Sequence, residues 1–405
     1  MTLPGTEGDN RDRTGRAEAA VRARDLGIVI GNGTPGPLNA ITDVAGVRVG
    51  HCTLVTGDGP LVRGHGPVRT GVTVVLPHNE GVWSKQVFAG HHRLNGNGEM
   101  TGLSWIAECG TLMSPIALTN THSVGIVRDT LVQIEVESRQ DDEIYWSLPV
   151  VAETWDGVLN DCNGFHVEPE HVRAAFADAG TGPVAEGNVG SGTGMVCHGF
   201  KGGIGTASRV TDSTDSVGST GSNGSYVVGV LVQANHGARS RFTVNGVPVG
   251  VAIDADTVPT PQVPDLLPGA EGGGSIIVVV ATDAPLLPHQ CQRLAQRAGL
   301  GIARTGGAGE HGSGDLIVAF ATGNRIVGSD YGSAPPAVQR LDMLSDAFID
   351  PLFHATIEAT EEAIVNALVA AETMTGRDDV TAHSLPHRLL VDTLDAHGLR
   401  SPGES

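Results

Sequence analysis

Apolar positions along the chain fall into two kinds of run. The first kind is short, continuous and β-branched: residues 72–76, 226–234, 275–282 and 316–321. Runs of this length, bounded by Gly, Asp or Asn and lacking polar alternation, predict strands buried on both faces. Residues 38–44 and 47–51 read as two further short strands. The second kind repeats at helical spacing. After Asp283-Ala284-Pro285, the residues Leu287, Cys291, Leu294, Ala295 and Ala298 share one face, and Gly299 marks the stop. Glu168-Pro169 opens a helix through Phe176, and Asp350-Pro351 opens a long one near 351–374 with Phe353, Ile357, Ile364, Leu368 and Ala371 as its stripe. A last helix near 386–397 closes at Gly398. Between these elements lie a polar arm (1–23) expected to be disordered and a glycine-rich polar loop (86–100) expected beside a cleft. A low-complexity surface loop (211–225) and a proline-rich connector (258–268) complete the set. With no internal repeat and no break in composition, residues 24–405 read as a single α/β unit in which β-α-β surrounds residue 275.

Composition narrows the function classes. The chain has 405 residues, 57 of them glycine, with only 4% aromatics, so its core must be aliphatic. A net charge of −20 argues against nucleic acid or anionic membranes as partners, since both require basic patches. The five cysteines are scattered and form no CxxC pair, so they predict neither a disulfide framework nor a zinc finger and suit a reducing compartment. With no apolar leader and no 18-residue apolar run, the expected location is the cytoplasm. Neither a metal nor a cofactor is expected. His91-His92 and the pair His383/His387 lack an HExxH context, and Pro386 interrupts the latter pair. The segment Gly187-Asn188-Val189-Gly190-Ser191-Gly192-Thr193-Gly194-Met195 has the look of a phosphate loop. It lacks Gly-Lys-Ser/Thr and a strict GxGxxG, so tight backbone packing beside an active site is expected instead.

Candidate chemistry concentrates where three glycines run into Ser275, the first residue of the most apolar run. A hydroxyl there could attack the carbonyl of Gly274. The cut would leave Ser275 with a free α-amine beside its Oγ, an activated nucleophile of known type. A glycine-rich loop leading into an ordinary core strand accounts for the same residues. Ser313 and Asp315 open the next strand, and Asn235 ends an earlier one. Together with Ser275 they make a chemically coherent set: a nucleophile, a supporting hydroxyl, an acid to orient it and a carboxamide for an oxyanion. Separate capping and turn roles for each remain an alternative at this level.

The segment Gly273-Gly274-Ser275-Ile276-Ile277-Val278-Val279-Val280-Ala281-Thr282-Asp283-Ala284-Pro285-Leu286 resembles the autocleavage segment of the L-aminopeptidase / D-esterase-amidase family, which includes the β-peptidyl aminopeptidases. The resemblance continues through Pro37-Leu38-Asn39-Ala40-Ile41-Thr42-Asp43-Val44, Leu148-Pro149-Val150-Val151-Ala152-Glu153-Thr154, Pro183-Val184-Ala185-Glu186-Gly187-Asn188, Phe200-Lys201-Gly202-Gly203-Ile204-Gly205-Thr206 and Gly312-Ser313-Gly314-Asp315. It implies an αββα sandwich, with two stacked sheets between helical layers. It also implies autocleavage between Gly274 and Ser275 into an α chain (1–274) and a β chain (275–405), and a homo-oligomer of such pairs. By the same resemblance, Ser275 is the nucleophile, Ser313 and Asp315 are its supporting hydroxyl and acid, and Asn235 is the oxyanion carboxamide. Glu153 anchors the free amine of a short peptide, amide or ester substrate, and Trp155 lines the pocket. Two positions depart from the pattern. Some relatives carry Glu where this chain has Asp315, and Trp155 stands where others have Tyr or Leu, so a tyrosine hydroxyl is missing here. The rival readings are an acyl transferase like the similarly folded ornithine acetyltransferases, whose nucleophile is Thr, and a non-catalytic small-molecule binding protein that keeps only the fold.

Overall fold

The computed structural model describes residues 20–140, 144–211, 224–262, 274–328 and 335–398. Most of the 1–23 arm, most of the 211–225 loop, Gly272, Gly273 and the second half of the proline-rich connector lie outside them.

Two sheets form the centre. The smaller has the order β1 (Arg48–Thr56), β2 (Val68–Leu76), β5 (Ile116–Asn120), β6 (Val150–Thr154). The larger runs β4 (Thr111–Leu112), β3 (Lys85–Gly96), β12 (Gly314–Val327), β11 (Ser275–Thr282), β10 (Val227–Asn235), β9 (Gly203–Val210). Two short ribbons flank them, β7 (Val196–Cys197) with β8 (Phe200–Lys201), and β13 (Met374–Thr375) with β14 (Thr381–Ala382).

The sheets face each other across an apolar layer. Val75, Ile116, Leu118 and Ala152 from one side meet Leu231, Ile277, Val279, Ala281, Val318 and Phe320 from the other. The outer face of the larger sheet, including Ile276, Val278 and Val280, is covered by α5 (Pro288–Arg304) and α6 (Asp350–Val369). The outer face of the smaller sheet packs Val72, Val74 and Ala117 against α2 (Val124–Glu137) and α3 (Pro169–Asp178). Three further helices, α1 (Leu103–Cys109), α4 (Val249–Ala252) and α7 (His387–Ala396), complete the set among the described residues. The architecture is thus αββα. It explains why the run from Ser275 does not alternate: β11 is buried at all eight positions because odd and even residues enter different cores.

Four local expectations need correction. Residues 38–44 form no strand. They fold into a 3₁₀ turn, Ile41–Asp43, because the Asp43 carboxylate accepts the backbone N–H groups of Leu38 and Ala40 and the hydroxyl of Ser208. Most of residues 86–100 are strand β3 rather than a loop: Val87, Phe88 and Ala89 are buried, and the polar half pairs with β12. Helix α5 begins at Pro288, since Asp283 is engaged by the N–H of Val227. It then continues through Gly299 to Arg304. Gly301 there serves helix packing, for a Cβ on it would sit 2.6 Å from the Cβ of Thr360 in α6. Helix α6, in turn, ends at Val369, short of the expected end near 374.

Candidate active site

The three central strands of the larger sheet bring the predicted residues together at one end. Ser275 is the first residue of β11. It pairs with Asn235, the last residue of antiparallel β10, and with Gly314, the first of parallel β12. Ser313 and Asp315 therefore flank the residue beside Ser275. The N–H of Gly314 donates to Ser275 Oγ at 3.0 Å. Ser313 Oγ donates to Asp315 Oδ1 at 2.5 Å, and the carboxylate also accepts the N–H of Ile276. Burial pushes the Asp315 pKa up; the Ser313 hydroxyl and that N–H oppose the shift.

Asn235 is held at both ends of its amide. Its Oδ1 accepts the N–H of Val196 at 2.8 Å, and its Nδ2 donates to the carbonyl of Trp155 at 3.0 Å. A primary amide carries two N–H protons, so one remains for a second acceptor. The turn before Ser275 requires glycine. Gly274 has φ +152°, and a Cβ there would lie 2.1 Å from the carbonyl oxygen of Asn235.

Glu153 arrives from the other sheet, at the end of β6, and is 3% exposed. Oε1 accepts the N–H of Glu99 at 2.8 Å, and Oε2 accepts the hydroxyl of Thr121. Burial raises its pKa, against those two hydrogen bonds. The link to the serine side is close: a Cβ on Gly98 would fall 3.3 Å from Glu153 Oε1 and 3.1 Å from the Cα of Gly314. Trp155 follows two residues later, 38% exposed with its indole against Gly157, and its backbone carbonyl holds Asn235.

The 187–195 segment packs as backbone. Added Cβ atoms on Gly192 and Gly194 would lie 2.4 Å from the N of Ile204 and 2.3 Å from the O of Arg69. Buried Lys201 donates to the carbonyls of Gly192, Met195 and Gly202. That tie fixes the approach to Val196, whose N–H orients Asn235. Lys201 and Thr121 had no role in the sequence reading. Thr121 lies 32 residues from Glu153, and Lys201 ties backbone carbonyls one, six and nine residues away, which no side-chain spacing announces. His91 and His92 lie in β3, and His387 Nε2 contacts the carbonyl of Val369.

A serine at the mouth of the central strand of an αββα sandwich, with a carboxamide and a hydroxyl–acid pair beside it, defines an N-terminal-nucleophile type of serine hydrolase. Comparison with known proteins agrees. The sequence matches Peptidase family S58 over residues 39–382. It is 50% identical over 371 residues to the β-peptidyl aminopeptidase BapA of Sphingosinicella microcystinivorans, covering 90% of each chain. The Burkholderia sp. β-aminopeptidase structure superposes with a TM-score of 0.85 at 51% identity, covering 94% of this chain and 100% of that one. The L-aminopeptidase D-Ala-esterase/amidase of Ochrobactrum anthropi, described as a variant of the Ntn-hydrolase fold, gives 0.82 at 42% identity over 94% and 99%. The chain belongs to peptidase family S58, and it is an aminopeptidase.

Proposed function

We propose that the chain cuts itself between Gly274 and Ser275 and then works as a serine aminopeptidase on short peptides, amides or esters with a free amino terminus, β-amino acyl substrates included. In self-cleavage, Ser275 Oγ attacks the Gly274 carbonyl carbon and the peptide nitrogen leaves as the α-amine of Ser275. Water then hydrolyses the resulting ester, releasing Gly274 as a carboxylate and regenerating the hydroxyl. In turnover, that amine, with an ordinary pKa of about 7.7–8.0, takes the Oγ proton as Ser275 attacks the substrate carbonyl. The remaining N–H of Asn235 stabilises the oxyanion. Asp315 orients Ser313, whose hydroxyl supports the Ser275 amine and Oγ. Glu153 receives the substrate ammonium through charge-assisted hydrogen bonds.

The observation that carries this reading is the pairing of Ser275 with both Asn235 and Gly314, which puts its Oγ 3.0 Å from the Gly314 N–H. Ser275→Ala should yield one uncut, inactive chain, whereas the native protein should show two bands and Edman degradation of it should return Ser-Ile-Ile-Val. Two bands from the alanine variant would sink the assignment. Cleaved pairs are proposed to assemble as a homo-oligomer, with Ile144, Trp146 and Leu148 supplying exposed apolar surface; light scattering after gel filtration tests this. Among the described residues no helix is long and apolar enough to cross a membrane. The unpaired cysteines suit a cytoplasmic location.

A further inference from the structure

Next to Asn235 and Val196 in the chain lie three buried side chains that the proposed chemistry does not use. They are Cys197 at the end of β7, His198 in the turn that follows, and His236 next to Asn235. Their ligand atoms all lie within 4.8 Å of one another. Cys197 Sγ is 3.7 Å from His236 Nδ1. Metal bonds of about 2.0 Å to nitrogen and about 2.3 Å to sulfur, opened to 120°, put those two atoms about 3.7 Å apart.

The turn itself is unusual. His198 (φ +50°) and Gly199 (φ +70°) occupy the two tip positions of the β7–β8 ribbon, both left-handed. Asn or Asp is the usual first residue of such a tip, and a tip side chain ordinarily points to water. Here the ring is fully buried, stacked on Phe242 at 4.8 Å and set edge-on to His236 at 5.1 Å. Its Nδ1 lies 3.2 Å from the carbonyl of Ala238, so the proton sits on Nδ1 and the Nε2 lone pair is left without a donor. That is the arrangement of a metal-binding histidine, whose second nitrogen is fixed by a backbone carbonyl. His236 turns Nδ1 toward Cys197 Sγ, which makes Nδ1 its ligand atom and leaves the proton on Nε2, buried and unpartnered among the described residues.

We propose that Cys197, His198 and His236 form a three-coordinate site for a soft monovalent d¹⁰ cation, Cu⁺. Thiolate with two imidazoles is a soft-to-borderline donor set. Charge decides between Cu⁺ and Zn²⁺. The only anionic ligand is one thiolate, and the Arg239 guanidinium stands close, its Nε donating to the carbonyl of His198 at 2.8 Å. Cu⁺ with the thiolate is neutral there, whereas Zn²⁺ would leave an uncompensated positive charge in a buried space. On binding, the S–H bond breaks, its proton goes to solvent, and no electron is transferred.

All three ligands are buried, so the ion is best loaded as the chain folds. The protein should be expressed in copper-supplemented medium, purified without oxygen, dialysed against a Cu⁺ chelator and assayed for metal per chain. The native chain should retain one copper, with X-ray absorption reporting one sulfur and two imidazoles. Cys197→Ser and His236→Gln, each checked by its melting curve, should retain at least about tenfold less. Ag⁺, a redox-inert stand-in, should raise the melting temperature of the native protein alone. Should either variant not fold, the native absorption spectrum and Ag⁺ titration decide by themselves. Substoichiometric copper, retention of Zn²⁺ instead, a spectrum lacking sulfur, or equal copper in folded variants would overturn the assignment.

Discussion

Replacing Asn235 separates the oxyanion role from a structural one. In Asn235→Ala the second N–H is lost, and one oxyanion donor is commonly worth about 10²–10³ in kcat, or roughly 2.7–4 kcal/mol. The same change strips the partners from a part-buried N–H (Val196, 2.8 Å) and a part-buried carbonyl (Trp155, 3.0 Å). A fully buried orphan costs about 1–3 kcal/mol; water can reach both of these groups, so the loss of stability should sit at the low end of that range. Asn235→Asp keeps the acceptor for Val196 but aims a carboxylate at the Trp155 carbonyl and at the developing oxyanion. It should therefore be the poorer catalyst of the two, although its side chain is nearly isosteric. The assay is hydrolysis of a β-amino acyl p-nitroanilide, with kcat expressed per mole of exposed Ser275 amino terminus so that incomplete self-cleavage does not masquerade as slow turnover. Melting curves run alongside. If the cleaved alanine variant turns over within roughly threefold of the native enzyme, below 1 kcal/mol in barrier, Asn235 is not the oxyanion donor. If aspartate outperforms alanine, the electrostatic argument fails even if the residue matters.

Other expectations follow from the same geometry. Glu153→Gln should raise KM by about 10–100-fold, the worth of a charge-assisted hydrogen bond of about 1.5–3 kcal/mol, with a smaller effect on kcat; an unchanged KM would remove Glu153 from amine binding. Because burial raises the Glu153 pKa, the acid limb of native kcat/KM should lie above the ordinary glutamate value, with activity lost as pH falls through it. The stability sign is opposite: the desolvated carboxylate costs stability at neutral pH, and that cost is relieved as pH drops from the raised pKa to the ordinary one. Glu153→Gln should accordingly melt no lower than native at pH 7 while losing the acid limb. Gly274→Ala should slow self-cleavage about 10²-fold, since a Cβ 2.1 Å from the Asn235 oxygen forces a shift of about 1 Å at the scissile bond; a time course on denaturing gels reads it, and native-like cutting would refute the strain argument. Asp315→Asn turns the bond to Ser313 into a neutral one and should lower kcat by about tenfold, measured on fully cleaved protein.

Much of this protein was present in its order of residues. The run from Ser275 to Thr282 carries its own evidence of burial, because only a strand covered on both faces can be apolar at every position. The helical stripe on α5 and the Pro-led starts of α3 and α6 needed no tertiary information, and Ser275, Ser313, Asp315 and Asn235 stood out as polar groups at strand ends. What the chain could not declare was convergence. Asn235 meets Ser275 through sheet register, and Glu153 reaches the serine side from the opposite sheet across Gly98. The segment after Ala89 looked like a loop because its polar side chains are satisfied by carbonyls more than 200 residues away. Gly299 looked like a stop because local propensity cannot foresee α6 pressing on the next turn of α5 at Gly301. Periodicity and turn chemistry are local and survive in the sequence. Register, close approach and the partners of buried polar groups are set between distant segments, and only the packed fold fixes them.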